Sequence, residues 1–305
     1  MKPDDWANAL RNLLKGKIVA REPLARHTSY RVGGPADVYV EPATKGDLQH
    51  LVRWAREENI PLFVLGKGTN LLVSDSGVRG LVVNVQRCCK EWDVGGTRVS
   101  VGAGWLLTKM LEKLAAVGLS GYEALYGIPG TVGGALFMNA GAFGTEIADR
   151  LLRVELMNKE GEIFFREKNQ LEFGYRRGIV NREWVILSAV FNLEKGSPEK
   201  IREQMQEIWQ RRRAKQPVTR ASAGSVFKRP KGYYAGALVQ GAGLKGFRHG
   251  HALISRKHAN FIVNAGGASA TEIRELMEIV RERVKQKYGV ELELENELIG
   301  WPCEN

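Results

Sequence analysis

Two glycine-rich loops contain the residue types that could bind a diphosphate. The first, Gly66-Lys67-Gly68-Thr69-Asn70-Leu71, follows an apolar run that is typical of a strand. Glycine leaves backbone N–H groups free to face phosphate oxygens, and Thr69 and Asn70 add side-chain donors. The second loop is Gly127-Ile128-Pro129-Gly130-Thr131-Val132-Gly133-Gly134, and it continues through Asn139-Ala140-Gly141-Ala142-Phe143-Gly144. Together the two loops predict a dinucleotide-binding site.

The spacing of these glycines differs from the common nucleotide-binding fingerprints. Position 71 is leucine where GxGxxG requires glycine, and the chain contains no GxxxxGK[ST] run. We therefore expect neither a Rossmann nor a P-loop nucleotide site.

A metal site is the other chemistry that the residue types suggest. His249, His251 and His258 could bring three imidazoles close together. No carboxylate or cysteine partner stands beside them in the sequence, and a catalytic zinc ion needs a tighter set of ligands. We therefore expect no metal.

Strand and helix patterns alternate around the loops. The first third predicts a helix from Asp4 to near Gly16, a strand over 36–40, a helix opened by Thr44 and Asp47, and a strand over 62–65. The helix after Thr44 has one apolar stripe, formed by Leu48, Leu51, Val52 and Ala55. The next block predicts strands over 99–101, 152–157, 163–166 and 185–191, and a helix with the buried residues Leu107, Met110, Leu111 and Leu114.

The last third begins with a charged helix over 198–215. It continues with a strand over 225–227, a helix over 233–239, and strands near Ala252 and Phe261. Ser269-Ala270-Thr271-Glu272 is a capping box, followed by a helix whose buried face is Ile273, Leu276, Met277, Val280 and Val284. Gly289 ends that helix, and a strand over 290–295 closes the chain.

Composition narrows the class of protein. The chain has 305 residues, 44% of them hydrophobic, and a formal net charge of +11, which excludes disorder and suggests two or three subdomains. The densest basic run is Arg211, Arg212, Arg213, Lys215 and Arg220. No aromatic residues are interleaved with this run, so it indicates a solvated helix end rather than a nucleic-acid surface.

The sequence also predicts where the protein acts. It has no apolar run long enough for a membrane span and no signal-peptide pattern at Met1-Lys2-Pro3-Asp4. Cys88, Cys89 and Cys303 form no disulfide framework, which favours free thiols in a reducing compartment. We expect a soluble cytoplasmic protein without an obligatory protein partner.

Several further stretches of the sequence match the motifs of a known protein family. They are His27–Asp37, Tyr175-Arg176, Gly224-Ser225-Val226-Phe227-Lys228-Arg229-Pro230, Gly243-Leu244-Lys245-Gly246, His258-Ala259-Asn260-Phe261 and Glu293-Leu294-Glu295. Together with the two glycine-rich loops, these stretches span nearly the whole chain and follow one another in the order that the family has. The sequence resembles the UDP-N-acetylenolpyruvoylglucosamine reductase (MurB) family, the flavoproteins of bacterial peptidoglycan synthesis.

The resemblance implies an α+β fold. An FAD-binding half of the vanillyl-alcohol-oxidase (PCMH) type would comprise two subdomains, residues 1–95 and 96–198, followed by a smaller α+β substrate domain, residues 199–305. It also implies that NADPH reduces a non-covalently bound FAD, without a bond through His27 or His50. Flavin N5 would then deliver hydride to the enolpyruvyl ether of UDP-N-acetylglucosamine, giving UDP-N-acetylmuramate for cell-wall biogenesis, cell shape and cell division.

Three residues match the catalytic positions of the family. Ser225 matches the proton donor, Arg176 the arginine that binds the developing carboxylate charge, and Glu295 the third catalytic residue. The residues assigned to FAD are Gly66, Lys67, Gly68, Thr69, Asn70, Leu71, Gly127, Ile128, Pro129, Gly130, Thr131, Gly133, Gly134, Asn139 and Gly141. Those assigned to the substrate are Tyr175, Lys228, Arg229 and Asn260.

Strand alternation refines one of these assignments. In a strand over 225–227, Ser225 and Phe227 share a face and Lys228 points to the other, unless the chain turns before Pro230. Lys228 is therefore assigned to a phosphate rather than to the activation of Ser225. In a strand over 290–295, Glu295 shares the wet face with Glu291 and Glu293.

Two features place the chain within the family. The stretch between Arg176 and Val185 is too short for the tyrosine-bearing lid of one branch, so the chain resembles the second, lidless branch. Gly178 stands where a serine is common, which leaves the contacts of that loop open. The alternatives are a flavin-fold oxidoreductase with another substrate, a flavin-fold regulator without turnover, and a basic nucleic-acid-binding protein.

Overall fold

A computed structural model describes residues 2–179 and 181–301. Its helices are α1 Pro3–Leu13, α2 Lys45–Glu57, α3 Leu107–Ala116, α4 Val132–Met138, α5 Pro198–Lys215, α6 Ala235–Gly241 and α7 Ala270–Tyr288. Its strands are β1 Gly16–Ala20, β2 Ala36–Pro42, β3 Leu62–Leu65, β4 Leu71–Val73, β5 Val78–Asn84, β6 Trp92–Gly95, β7 Arg98–Gly102, β8 Leu119–Ser120, β9 Gly141–Ala142, β10 Thr145–Glu146, β11 Leu151–Met157, β12 Ile163–Glu167, β13 Val185–Asn192, β14 Glu194–Lys195, β15 Arg248–His249, β16 Ala252–Ile254, β17 Ile262–Asn264 and β18 Glu297–Ile299.

The chain forms two compact units, each assembled from three segments. The first unit comprises Met1–Arg21, Asp37–Lys67 and Gly80–Arg211, and the second comprises Glu22–Ala36, Gly68–Arg79 and Arg212–Asn305. The three domains expected over 1–95, 96–198 and 199–305 stay a prediction.

The first unit contains two larger sheets. One has the order β1-β2-β5-β3, with β3 parallel to β5, and the other has the antiparallel order β12-β11-β13-β7-β6. Helix α2 begins where sequence predicts, because the Thr44 hydroxyl accepts a hydrogen bond from the Asp47 amide at 3.0 Å. Its apolar stripe is buried as expected.

The second unit is smaller and less regular. Strands β15, β16 and β17 form an antiparallel sheet, and β18 pairs in parallel with β4. Helix α7 begins at the predicted capping box, where the Glu272 amide donates to the Ser269 hydroxyl at 3.0 Å, and it ends at Gly289 with φ 67°. Its predicted apolar face is buried in the core of this unit.

Two predicted strands of the second unit are wrong. Residues 225–227 and 290–295 are irregular, and the closing strand is β18, Glu297–Ile299. Instead of a strand ladder, the two segments share an isolated bridge between Phe227 and Leu294. Val226 and Phe227 are both buried, at 0% and 2% exposure, so the alternation of a strand is broken there.

None of the helices in the described residues combines the length and the apolar composition needed to cross a membrane.

Candidate functional site

The two predicted glycine loops meet within the first unit at Gly66 and Thr131. Gly66 directly follows β3, and Thr131 caps α4 by accepting a hydrogen bond from the Gly134 amide at 3.1 Å. A Cβ atom at position 66 would lie 2.6 Å from the Thr131 hydroxyl oxygen. Glycine is therefore required at position 66 for this close approach.

The second loop carries unused backbone donors. Among the described residues, no protein acceptor pairs with the amides of Gly130 and Thr131. Bare glycine backbone and unpaired amides form a donor set that suits the anionic oxygens of a diphosphate. The geometry of the loop therefore fits the diphosphate of a dinucleotide such as FAD.

Residues 68–71 of the first loop belong to the second unit. Gly68 has φ 64°, and a Cβ there would overlap the carbonyl oxygen of His27. The Asn70 amide nitrogen donates to the Glu295 carbonyl at 2.8 Å, and its oxygen accepts from the Asn296 side chain at 3.0 Å. Both ends of the Asn70 side chain thus have protein partners, while its assignment to the cofactor stays a prediction.

Asn139 ends α4 in the left-handed conformation, with φ 46°. Its buried amide nitrogen donates to Glu146 at 2.6 Å and to the carbonyl of Gly174 at 3.0 Å. Gly141 lies in β9, which pairs with β10. These bonds tie the end of the glycine-rich segment to the turn that carries Arg176.

Arg176 occupies a strained position in a tight turn. Gly174 and Arg177 exchange backbone hydrogen bonds of 2.8 and 3.0 Å across the turn, and Arg176 has φ 54°. Residues other than glycine adopt this region at a cost, and such strain is concentrated at functional sites. The Arg176 guanidinium carbon lies 5.0 Å from the centre of the Tyr175 ring. Arg177 instead pairs with the exposed Glu172 at 2.8 Å.

Gly178 has a structural explanation that the sequence did not supply. Its amide donates to the Phe137 carbonyl at 3.1 Å, and a Cβ at position 178 would overlap the carbonyl oxygen of Leu136. The end of α4 therefore excludes any side chain at this position, including the serine that is common in the family.

Replacing Gly178 by serine is expected to lower the free energy of unfolding by about 1–3 kcal/mol, because the backbone of α4 must move to admit the side chain. Urea unfolding measures the change. Gly95→Ser is the matched control, since a Cβ at position 95 meets no atom within 4 Å. Equal midpoints for the two variants would contradict the close contact at Gly178.

Ser225 lies half-buried in an irregular loop of the second unit. The Val226 amide donates to the Asn260 carbonyl at 2.9 Å. The Asn260 side chain accepts from the Phe227 amide at 3.1 Å and donates to the Phe227 carbonyl at 2.9 Å. Asn260 therefore holds the backbone next to Ser225, and its assignment to the substrate stays a prediction.

Glu295 lies beside the loop that carries Ser225. Its amide donates to the Val226 carbonyl at 2.7 Å, and the Lys228 amide donates to the Glu293 carbonyl at 2.9 Å. The Lys228 ammonium lies 3.3 Å from the Glu293 carboxylate, and the Arg229 guanidinium carbon lies 4.0 Å from the centre of the Tyr234 ring. The second unit thus places Ser225 and Glu295 on two segments joined by backbone hydrogen bonds.

His258 supports the loop in a way that sequence reasoning missed, although its spacing from Asn260 was visible. Its Nδ1 accepts from the Asn260 amide at 3.2 Å. Burial, with a smaller contribution from the positive charge of Lys245, lowers the pKa of His258 below its usual value. The neutral ring is the form that can accept this bond.

The free energy of unfolding is expected to fall as the pH drops below about 6.5, the ordinary pKa of histidine. The fall continues until the pH has passed the lowered pKa that His258 has in the folded protein. Below that value the unfolded chain binds a proton that the folded chain resists, whereas above it this group contributes no pH dependence. Urea midpoints at pH 7.5 and 5.5 measure the effect. His258→Asn, which keeps an acceptor but does not titrate, should reduce the difference, and His50→Asn on the exposed side of α2 should not.

In the fold, two of the three histidines named above do have carboxylate neighbours, which come from helix α7 and not from the adjacent sequence. His249 Nε2 lies 2.7 Å from Glu275, and His251 Nδ1 lies 3.7 Å from Glu272. Among residues 2–179 and 181–301, no group of three or more histidine, cysteine or carboxylate side chains has the arrangement of a metal site.

Comparisons with known proteins cover both units. Residues 36–165 match the family model described as FAD binding domain, and residues 216–299 match the model of the UDP-N-acetylenolpyruvoylglucosamine reductase C-terminal domain. A relative named UDP-N-acetylenolpyruvoylglucosamine reductase from Caldanaerobacter subterraneus subsp. tengcongensis is 44% identical over 95% of this chain and 97% of its own length. One of the same name from Clostridioides difficile is 42% identical over 97% of this chain and 98% of its own length.

A solved structure agrees with these matches. The crystal structure of the reductase of the same name from Thermus caldophilus is similar with a TM-score of 0.80 and 38% identity, over 95% of this chain and all of that one. The α+β fold class with a PCMH-type FAD-binding half is thereby confirmed.

Proposed function

Because this chain belongs to the UDP-N-acetylenolpyruvoylglucosamine reductase family, we propose that Arg176, Ser225 and Glu295 carry its reaction. The chain is a flavin-dependent reductase that reduces UDP-N-acetylglucosamine enolpyruvate in peptidoglycan synthesis. Its cofactor is FAD and its hydride donor is NADPH. Held at Gly66 and the loop over residues 127–134, FAD would supply the hydride chemistry, with NADPH as the hydride source and C3 of the enolpyruvyl group as the acceptor.

Arg176 is assigned to charge stabilisation. Hydride addition at C3 leaves negative charge delocalised between C2 and the pyruvyl carboxylate, and a guanidinium can bind a carboxylate through two hydrogen bonds without losing its proton. The strained turn at Gly174–Arg177 supports this role, because it holds the backbone of Arg176 in one conformation. Tyr175, beside the guanidinium, is assigned to the substrate.

Ser225 is assigned to proton donation. Protonation at C2 completes the conversion of the enolpyruvyl group to a lactyl ether, and the proton comes from the serine hydroxyl. A hydroxyl is a weak acid, so its alkoxide needs nearby positive charge or hydrogen-bond donors. Glu295 is assigned to positioning the enolpyruvyl end or relaying the proton. The observation that carries the proposal is the 2.7 Å bond between the Glu295 amide and the Val226 carbonyl, next to Ser225.

The remaining assignments follow from the chemistry of the residues. Lys228 and Arg229 are cations suited to the phosphates of the substrate or of NADPH. The amides of Gly130 and Thr131, which have no protein acceptor in the described part of the chain, are suited to the diphosphate of FAD. The cytoplasmic location and the absence of an obligatory protein partner stay predictions from the sequence.

The visible spectrum tests the function directly. The purified protein, loaded with FAD under anaerobic conditions, should lose its yellow colour with NADPH and regain it when UDP-N-acetylglucosamine enolpyruvate is added. A protein that bleaches but does not recover its colour would contradict the assignment of this substrate. A protein that stays colourless after incubation with FAD would contradict the cofactor.

A further inference from the structure

Asn296 forms the centre of a buried hydrogen-bond cluster in the second unit. The residue is 4% exposed. Its amide nitrogen lies 3.0 Å from the Asn70 side-chain oxygen, 3.0 Å from the carbonyl oxygen of Ala223 and 3.2 Å from that of Ser225. Two N–H groups are thus shared among three acceptors. One side chain therefore holds the backbone on both sides of Gly224.

Tyr30 fixes the orientation of that amide. Its hydroxyl donates to the Asn296 side-chain oxygen at 3.0 Å, and the ring is completely buried. Burial raises the pKa of Tyr30 well above its ordinary value, so the phenol remains a neutral donor. With its oxygen bound to Tyr30, Asn296 must turn its nitrogen toward the carbonyl groups.

The same cluster reaches Glu295 from two directions. Asn296 is the next residue in the chain, and the Asn70 amide nitrogen donates to the Glu295 carbonyl at 2.8 Å. The carbonyl groups of Ser225 and Glu295 are therefore both bound to the Asn70–Asn296 pair. Neither residue lies in a strand, so this side-chain pair supplies hydrogen bonds that a regular ladder would otherwise provide.

We propose that Asn296 is a positioning residue for the reduction, oriented by Tyr30, and that it holds the Ser225 hydroxyl and the Glu295 carboxylate in one fixed arrangement. The inference rests on the roles proposed above for Ser225 and Glu295. Asn296 acts only through the backbone of these two residues. A buried polar network of this kind favours a single conformation, which proton donation to one carbon atom requires.

Tyr30→Phe is the informative variant. Asn296→Ala would leave buried carbonyl groups without donors and could prevent folding. Tyr30→Phe keeps the ring and removes only the hydroxyl that orients Asn296. We expect the rate of reoxidation of the reduced enzyme by saturating enolpyruvyl substrate to fall about tenfold. Flavin reduction by NADPH should stay within about twofold of the wild-type rate, and the substrate concentration for half-saturation should not change.

The control is Tyr39→Phe. Tyr39 is also completely buried, and its hydroxyl donates to Glu41 at 2.8 Å in the first unit. This variant should reoxidise at the wild-type rate. If Tyr30→Phe also reoxidises at the wild-type rate, or if both half-reactions slow equally, the positioning role is refuted.

A mutant cycle separates the inference from the proposed function. If Tyr30 and Asn296 act through Ser225 and Glu295, adding Tyr30→Phe to the Ser225→Ala/Glu295→Gln enzyme should slow its reoxidation no further. If Tyr30→Phe slows that enzyme by the same factor by which it slows the wild type, the inference is overturned and the role of Ser225 is left intact. Wild-type reoxidation by Ser225→Ala alone would refute the proposed role of Ser225 itself. The solvent deuterium isotope effect on reoxidation should increase in Tyr30→Phe, because proton donation becomes slower.

Discussion

Ser225→Ala should leave the flavin of the reduced enzyme almost unable to be reoxidised by the enolpyruvyl substrate. We expect a loss of about 100- to 10,000-fold, the usual contribution of a positioned proton donor. The reduction of FAD by NADPH involves no proton transfer from this hydroxyl and should stay within about twofold of wild type. Stopped-flow absorbance of the flavin, recorded separately for each half-reaction, gives both rates.

The structure makes this substitution a clean test. The contact between Ser225 and Asn296 uses the backbone carbonyl of Ser225, which alanine retains. The fold of the loop should therefore survive. Ser222→Ala is the matched control in the same segment, because among the described residues the buried Ser222 hydroxyl has no hydrogen-bond partner to lose. Equal slowing of both half-reactions in Ser225→Ala would refute the assigned role.

Arg176→Gly should separate stability from activity. Arginine at φ 54° occupies a backbone region that costs about 1–2 kcal/mol for residues with a Cβ and that glycine adopts freely. Glycine also gains freedom in the unfolded chain, so we expect the free energy of unfolding to change by less than about 1 kcal/mol. Reoxidation by the enolpyruvyl substrate should fall at least about 100-fold, because the developing carboxylate charge loses its partner.

Two further variants define the role of the guanidinium. Arg176→Lys keeps the charge and loses the paired hydrogen bonds, and it should also slow reoxidation. Arg177→Ala is the control, since the Arg177 guanidinium forms a surface ion pair with Glu172, whose side chain is 85% exposed. It should reoxidise at close to the wild-type rate. Wild-type reoxidation by Arg176→Lys or Arg176→Gly would remove Arg176 from the mechanism.

Helices α2 and α7 were predictable because their information is local. A capping side chain and its partner amide lie three residues apart at Thr44 and at Ser269, and the apolar stripes repeat within two turns. The glycine loops were predictable for the same reason, since a glycine after an apolar strand lets the backbone turn at that position whatever lies elsewhere in the chain. The family pattern, spread over nearly the whole chain, supplied the reaction and the predicted catalytic roles of Arg176, Ser225 and Glu295.

What the sequence alone could not show depends on distant partners. Alternation predicted strands over 225–227 and 290–295, but both segments are irregular. The first is held by side-chain bonds to Asn260 and Asn296, and the second by bonds to Asn70 and Val226. Tyr30 and Asn296 are 266 positions apart, and Gly178 is constrained by the carbonyl of Leu136 rather than by its own neighbours. Periodicity and capping determine local elements because their hydrogen bonds close within a few residues. Only the tertiary structure determines which buried polar groups meet, because each unpaired group must find a partner wherever the chain brings one.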